Sequence, residues 1–188
     1  MQEINCAAYF SNFHKWAFSP KNAAFLYISD KFINIIKPAL TGNHYGDGPA
    51  KEYFWTGTRD YSGYLCVKAG LEYSDSFGPN EVRNYNHMLV MAAARRIAEI
   101  WNTQLFTEDE RCVGSIANVE VPCNDPSVAS AISMEMLKKD NCFPVFFQFD
   151  GKIWTRISAQ LYNDLSDYEF MARTVLTYLQ KWGNQLPS

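Results

Sequence analysis

The chain has 188 residues, 47% of them hydrophobic and 15% aromatic, with a formal net charge of -3. That length suits one domain or two small ones with ample material for a core, and the weakly acidic balance gives no electrostatic case for nucleic acid or an anionic membrane. No apolar run reaches membrane-spanning length, and the five cysteines, scattered and without a CxxC pair, read as reduced thiols of a cytoplasmic protein rather than as a disulfide framework or a metal site.

Cys6 to Phe10 is short, apolar and uncharged, the pattern of a buried strand, and Ala23 to Ile28 reads as a second one. Between them, Lys15 sits in a turn flanked by Phe13, Trp16 and Phe18. A lysine dried by aromatic neighbours is pushed toward the neutral amine that Schiff-base chemistry needs. The plainer reading is a lysine that snorkels its ammonium to water.

Residues 30–56 look irregular, and Thr41 to Pro49 is a loop long enough to be a lid or an interface element. His44 in that loop is either a ligand contact or an idle surface residue. Gly57-Thr58-Arg59-Asp60 leads into a helix carrying Tyr61, Tyr64, Leu65 and Leu71, with Thr58 or Asp60 as its N-cap. Free N–H groups at such a start can seat a phosphate, although a capped helix is the ordinary use of these residues.

Phe77-Gly78-Pro79-Asn80 breaks the chain. We place a domain boundary there, giving residues 1–78 and 79–188. A long helix follows to Trp101, with Val82, Tyr85, Leu89, Ala93, Ile97 and Ile100 at a 3.6-residue period; His87 on it reads as structural. The remainder reads strand (113–121), helix (127–139), hairpin around Asp150-Gly151, and helix opened by the capping box Ser166-Asp167-Tyr168-Glu169. This order predicts a small antiparallel sheet with helices on one face.

Three separated stretches share one pattern. His14-Lys15-Trp16 with Ser19-Pro20-Lys21, then Trp55-Thr56-Gly57-Thr58-Arg59-Asp60-Tyr61-Ser62, then Arg156-Ile157-Ser158-Ala159-Gln160-Leu161-Tyr162-Asn163 together resemble the class V aminotransferases. These are fold-type I enzymes dependent on pyridoxal phosphate. Within that family the motifs, with Phe143-Pro144-Val145 and Arg83 to His87, look most similar to the isopenicillin-N-epimerase-like branch. The resemblance implies an α/β architecture: the C-terminal portion of the fold-type I large domain, followed by a small α+β domain.

It also implies roles. Lys15 matches the lysine that carries the cofactor as a Schiff base and shuttles the Cα proton; His14 matches the histidine supporting the cofactor pocket. Gly57 and Thr58 match the pair that reaches the cofactor phosphate of the neighbouring subunit in the homodimer. Arg156 matches the arginine that grips the α-carboxylate of an amino-acid substrate, for which a planar fork is suited. Tyr162 and Asn163 read as structural. Asn22 stands where the family has glycine, and asparagine tolerates the left-handed backbone that turn requires.

Two departures accompany the resemblance. A cysteine desulfurase needs a nucleophilic cysteine on a loop ahead of the arginine; Cys142 stands at a compatible distance but runs directly into a strand-like segment. In the family the phosphate loop, the aromatic stacking group and the acid pairing the ring nitrogen all precede the lysine, and here 14 residues do. The expectation is the C-terminal half of such an enzyme. It would be completed by an N-terminal half, or else be a non-catalytic product that binds a full-length relative.

Overall fold

A computed structural model describes residues 3–183. The chain divides into two compact units, Met1–Gly78 and Pro79–Ser188.

In the first unit β1 (Ala8–Asn12) runs into a one-turn helix, α1 (Phe13–Trp16), and the chain returns as β2 (Ala24–Ile28). β1 and β2 pair antiparallel with Tyr9 opposite Tyr27 and Ser11 opposite Phe25. The apolar run predicts two buried strands. The pair instead leaves Phe10 at 78% and Leu26 at 45% exposure, because among the described residues no further strand joins the sheet. Residues 30–48 are turns, bends and irregular backbone, with α2 (Pro49–Glu52) closing the stretch. Two short helices follow, α3 (Ser62–Leu65) and α4 (Val67–Asp75). Asp60 Oδ1 accepts a hydrogen bond from Ser62 N at 2.8 Å just ahead of α3, but the N-cap position falls to Tyr61, so neither Thr58 nor Asp60 caps the helix as its sequence suggests. Hydrogen bonding from the Ser62 side chain first, and from its backbone second, holds the Asp60 carboxyl below its ordinary range.

The second unit opens with α5 (Pro79–Trp101), then β3 (Ile116–Glu120), α6 (Pro126–Lys139), β4 (Val145–Phe149), β5 (Lys152–Ser158) and α7 (Leu165–Gly183). The sheet order is β3-β5-β4, antiparallel throughout, and α5 and α6 pack on it while α7 packs on both helices. Asp150 and Gly151 take φ of 50° and 72°, the left-handed pair that a two-residue hairpin requires. The core joins Val90, Ile97 and Trp101 of α5, Val119 of β3, Ile132 and Met136 of α6, Ile153 and Ile157 of β5, and Val175 of α7. Among the described residues, no helix is long and apolar enough to cross a membrane.

Three local readings shift. The buried face of α5 runs through Asn86, Val90, Ala94 and Ile97, and Tyr85 is exposed, its hydroxyl donating to the Asn163 carbonyl at 2.7 Å. β3 is shorter than residues 113–121: a 3-10 turn, Glu110–Cys112, is followed by a bend at 114–115 before the strand begins at Ile116. The capping box of α7 lies two residues earlier than its sequence suggests. Asp164 Oδ1 accepts from Ser166 N at 2.8 Å, and Asp167 Oδ2 accepts from Asp164 N at 3.2 Å.

Candidate functional site

In the first unit the Lys15 segment is fixed by backbone more than by side chains. Phe13 N donates to Ala23 O at 3.1 Å, and Ala17 N donates to Phe13 O at 2.8 Å. Two glycines let α3 and α4 press against it. A Cβ on Gly63 would stand 2.8 Å from Lys21 O, and one on Gly70 would stand 2.4 Å from Ala17 O. Phe18 and Asn22 take φ of 53° and 80°. Asn22 thus holds the left-handed turn its sequence position implies, whereas Phe18 is forced into that region, a strain that local packing must offset. Its ring meets Tyr73 of α4 edge-on at 5.2 Å.

Lys15 itself is exposed. This corrects the expectation of a lysine dried by its neighbours. Phe13 packs on Phe25 at 5.3 Å and Phe18 on Tyr73, so the aromatic groups cover one another rather than the amine. Among the described residues the Lys15 amine has neither an ion pair nor a hydrogen bond. Beside it, His14 Nδ1 is shut off from solvent and has no hydrogen-bond partner. A buried polar atom left without a partner costs about 1–3 kcal/mol, so His14 is poised for a group supplied from elsewhere.

Gly57 takes φ of 118°, a conformation that L side chains rarely adopt, and its carbonyl accepts from Tyr61 Oη at 3.0 Å. Trp55 stacks on Tyr61 at 5.7 Å, which fixes the loop on both sides of the glycine. Thr58 is exposed and its hydroxyl makes no hydrogen bond among the described residues. The neighbouring loop is pinned by Glu52, which sequence reasoning missed. This carboxylate is 5% exposed, bonds Lys37 Nζ at 3.2 Å and accepts from Gly46 N at 3.1 Å. Its only sequence signal is its place just after a Gly-Pro helix start. His44 pairs with Asp47 inside the same loop at 3.1 Å.

In the second unit Arg156 lies on the central strand β5, opposite Asn118 of β3 and Val145 of β4. Its side chain is exposed, and its guanidinium has no ion pair or hydrogen bond among the described residues. It opens onto a recess of about 170 Å³ that also contains Cys142, Thr155, Asp167 and Tyr168. Asp167 is the one carboxylate there, and its Oδ2 accepts from Asp164 N at 3.2 Å and from Asn163 Nδ2 at 3.1 Å. A planar guanidinium without a protein partner can bind a carboxylate through two parallel hydrogen bonds. Burial, with Asp140 and Asp167 nearby, pushes the Cys142 thiol up, away from the reactive thiolate. Burial likewise pushes the Tyr168 phenol up to about 12, and its hydroxyl donates to Ser158 O at 2.8 Å.

Pyridoxal phosphate brings an aldehyde, an acidic phosphate and a polar ring. The first unit offers an uncommitted amine at Lys15, an unpartnered buried ring nitrogen at His14 and a free hydroxyl at Thr58, and this donor set fits such a group.

Comparison with known proteins agrees in kind. The chain is 33% identical over 184 residues to a probable chloroplastic L-cysteine desulfhydrase of Arabidopsis thaliana, covering 89% of this chain and 39% of that protein. It is 28% identical over 177 residues to a hercynylcysteine sulfoxide lyase of Schizosaccharomyces pombe, covering 88% of this chain and 44% of that one. The fold matches a cysteine desulfurase from Thermococcus onnurineus with a TM-score of 0.69 at 18% identity, over 96% of this chain and 48% of that one. The chain thus spans less than half the length of each of these proteins. The family model for aminotransferase class-V matches residues 1–169, and the chain belongs to the class V aminotransferase family.

Proposed function

We propose that this chain is the lysine- and arginine-bearing portion of a pyridoxal phosphate-dependent enzyme that cleaves the carbon–sulfur bond of cysteine or a related β-thio amino acid. The observation that carries the reading is the uncommitted Arg156 guanidinium beside a recess whose own carboxylate is already hydrogen-bonded. The names of the relatives supply the substrate class.

Pyridoxal phosphate is the cofactor expected of the family, and when bound it supplies a sink for the electron pair left on Cα. Lys15 anchors the cofactor and takes the Cα proton at Nζ. His14 supports the cofactor from the adjacent position through its free Nδ1, and the Gly57-Thr58 turn offers backbone and hydroxyl donors to a phosphate. Arg156 holds the substrate carboxylate, leaving the Cβ–S bond free to break. The sulfur leaves as sulfide, and water converts the remaining three-carbon fragment to pyruvate and ammonia, so atoms and electrons balance without an oxidant. This route needs no nucleophilic cysteine, in keeping with the raised Cys142 thiol; a desulfurase would need that thiol as a thiolate.

Two other readings stay distinct. The epimerase-like placement rests on the sequence motifs alone, and it would return the Cα proton without breaking C–S. A non-catalytic role, docking onto a longer relative, draws support from the exposed Phe10, Leu26, Phe54 and Leu65 of the first unit. The five free cysteines suit a reducing compartment, of which the cytoplasm is one.

The test adds pyridoxal phosphate to the full chain, alone and with a polypeptide carrying the upstream half of a class V relative. Borohydride reduction and peptide mapping then locate the label, and cysteine turnover is followed as sulfide and pyruvate. The expected result is a label on Lys15 and sulfide release in the complemented sample. A label spread over several lysines, unchanged by Lys15→Ala, overturns the assignment. A racemised substrate without sulfide supports the epimerase reading instead.

A further inference from the structure

On the face of the second unit's sheet turned away from its helices, one carboxylate stands between two cations. β5 alternates: Ile153 and Ile157 join the core, and Lys152, Trp154, Arg156 and Ser158 lie in order on the opposite face. Glu120 of β3 is opposite Trp154, and Asn118 is opposite Arg156. Lys152 and Arg156 are therefore the two diagonal neighbours of Glu120. In an antiparallel pair such diagonals lie about 7–8 Å apart, within reach of long side chains. Asn118 O accepts from Phe106 N and Glu120 N donates to Gln104 O, both at 2.9 Å. Their backbone groups thus point away from β5, which makes both cross-strand pairs the non-hydrogen-bonded kind, with side chains at their closest.

Glu120 takes one of the two cations. Its Oε2 accepts from Lys152 Nζ at 2.8 Å, and Arg156 has no ion pair among the described residues. Trp154 stands between the two diagonals. Its indole Nε1 donates to Phe149 O at 3.1 Å, so the ring leans toward the hairpin and away from Arg156. β3, β4 and β5 carry no third lysine or arginine. A Glu120 deprived of Lys152 thus has one cation left on its sheet, Arg156. A guanidinium takes a carboxylate in a two-pronged grip that an ammonium does not offer, and a substrate carboxylate needs that same grip.

We propose that Lys152 is a positioning residue for substrate binding: by holding Glu120 it keeps the Arg156 guanidinium open for the substrate's carboxylate. This rests on the reading of Arg156 as the carboxylate-binding residue. Without Lys152, Glu120 turns to Arg156, fills its fork and repels an incoming carboxylate.

Two measurements test it. In the full chain alone, phenylglyoxal labelling with peptide mapping reports how free Arg156 is. Lys152→Met should slow the labelling of Arg156 about threefold, and adding Glu120→Gln should restore it. In the complemented enzyme, Lys152→Met should raise KM for cysteine about fivefold with kcat nearly unchanged, the upper range for an exposed ion pair. Adding Glu120→Gln should bring KM back. A hairpin merely loosened by the loss of Lys152 gains nothing from Glu120→Gln, so a KM that stays high in the double variant overturns the inference. Arg156 labelling at one rate in all three chains does the same. If Arg156→Ala raises KM and Lys152→Met does not, the inference falls and the reading of Arg156 stands. If Arg156→Ala leaves KM unchanged, that reading falls and takes the inference with it.

Discussion

Gly70 of α4 lies against the backbone of Ala17, so close that a Cβ there would stand 2.4 Å from the Ala17 carbonyl oxygen. This contact, two residues after Lys15, is what holds the turn of the proposed cofactor lysine against a helix. Gly70→Ala should gain about 1 kcal/mol of helix propensity and lose about 1–3 kcal/mol to the overlap, which backbone cannot relieve cheaply. The net effect is a loss confined to the first unit. Hydrogen exchange should show faster amides in β1, β2 and α4, with α5 to α7 unchanged.

Arg156 separates function from stability. Its guanidinium is exposed and without a protein partner among the described residues, so Arg156→Ala should change unfolding free energy by less than about 0.5 kcal/mol. In the complemented enzyme the same change should raise KM for cysteine at least about tenfold, the scale of a lost charge-assisted pair. Arg156→Lys should recover little of it, because a point charge cannot replace a two-pronged donor. Comparable losses of stability and of KM would show that Arg156 is instead a structural residue.

Tyr168 gives an alkaline signature. Its phenol is 7% exposed, bonded to Ser158 O, and pushed from 10.0 up to about 12 by burial first and by Asp167 and nearby tyrosines second. The folded state keeps this proton after the unfolded chain has lost it, so the stabilisation is whole below pH 10 and falls as pH rises from 10 toward 12. The loss should be on the order of 1–3 kcal/mol. Urea titrations at pH 9 and pH 11 measure it, and Tyr168→Phe should flatten that part of the profile.

Cys142 should be the slow thiol. Burial and two carboxylates raise it, whereas Cys112 and Cys66 are exposed. Under limiting iodoacetamide near pH 8, Cys112 and Cys66 should be labelled before Cys142. Cys142→Ser should leave sulfide release within about threefold of the unsubstituted chain if the lyase chemistry holds. A loss of several orders of magnitude would point to a persulfide-carrying cysteine.

Much of the fold was legible because it rests on local rules. Asp150-Gly151 gave the hairpin, Asn22 gave the left-handed turn, and the spacing of Val128, Ile132 and Met136 gave the face of α6 that meets the core. The misreadings share a cause: they depend on contacts made across the chain. The reach of Asp167 back to Asp164 N moved the cap of α7, and the environment chosen for Tyr85 turned it out of the α5 interface toward Asn163. Glu52 gave little warning beyond its Gly-Pro helix start, since its burial depends on Lys37 and the Gly46 amide, which only the folded loop brings to it.

By itself the sequence determined the family, because three ordered motifs carry it, and the order of helices and strands, because periodicity and turn chemistry are short-range. Only the tertiary structure decided which charged groups stand free: Lys15 exposed where its neighbours promised a dry pocket, Arg156 unpaired among the described residues, Asp167 already hydrogen-bonded through Oδ2. Whether a charge is available to a ligand depends on which partners the folded chain brings to it, and that is settled by packing between segments far apart in sequence.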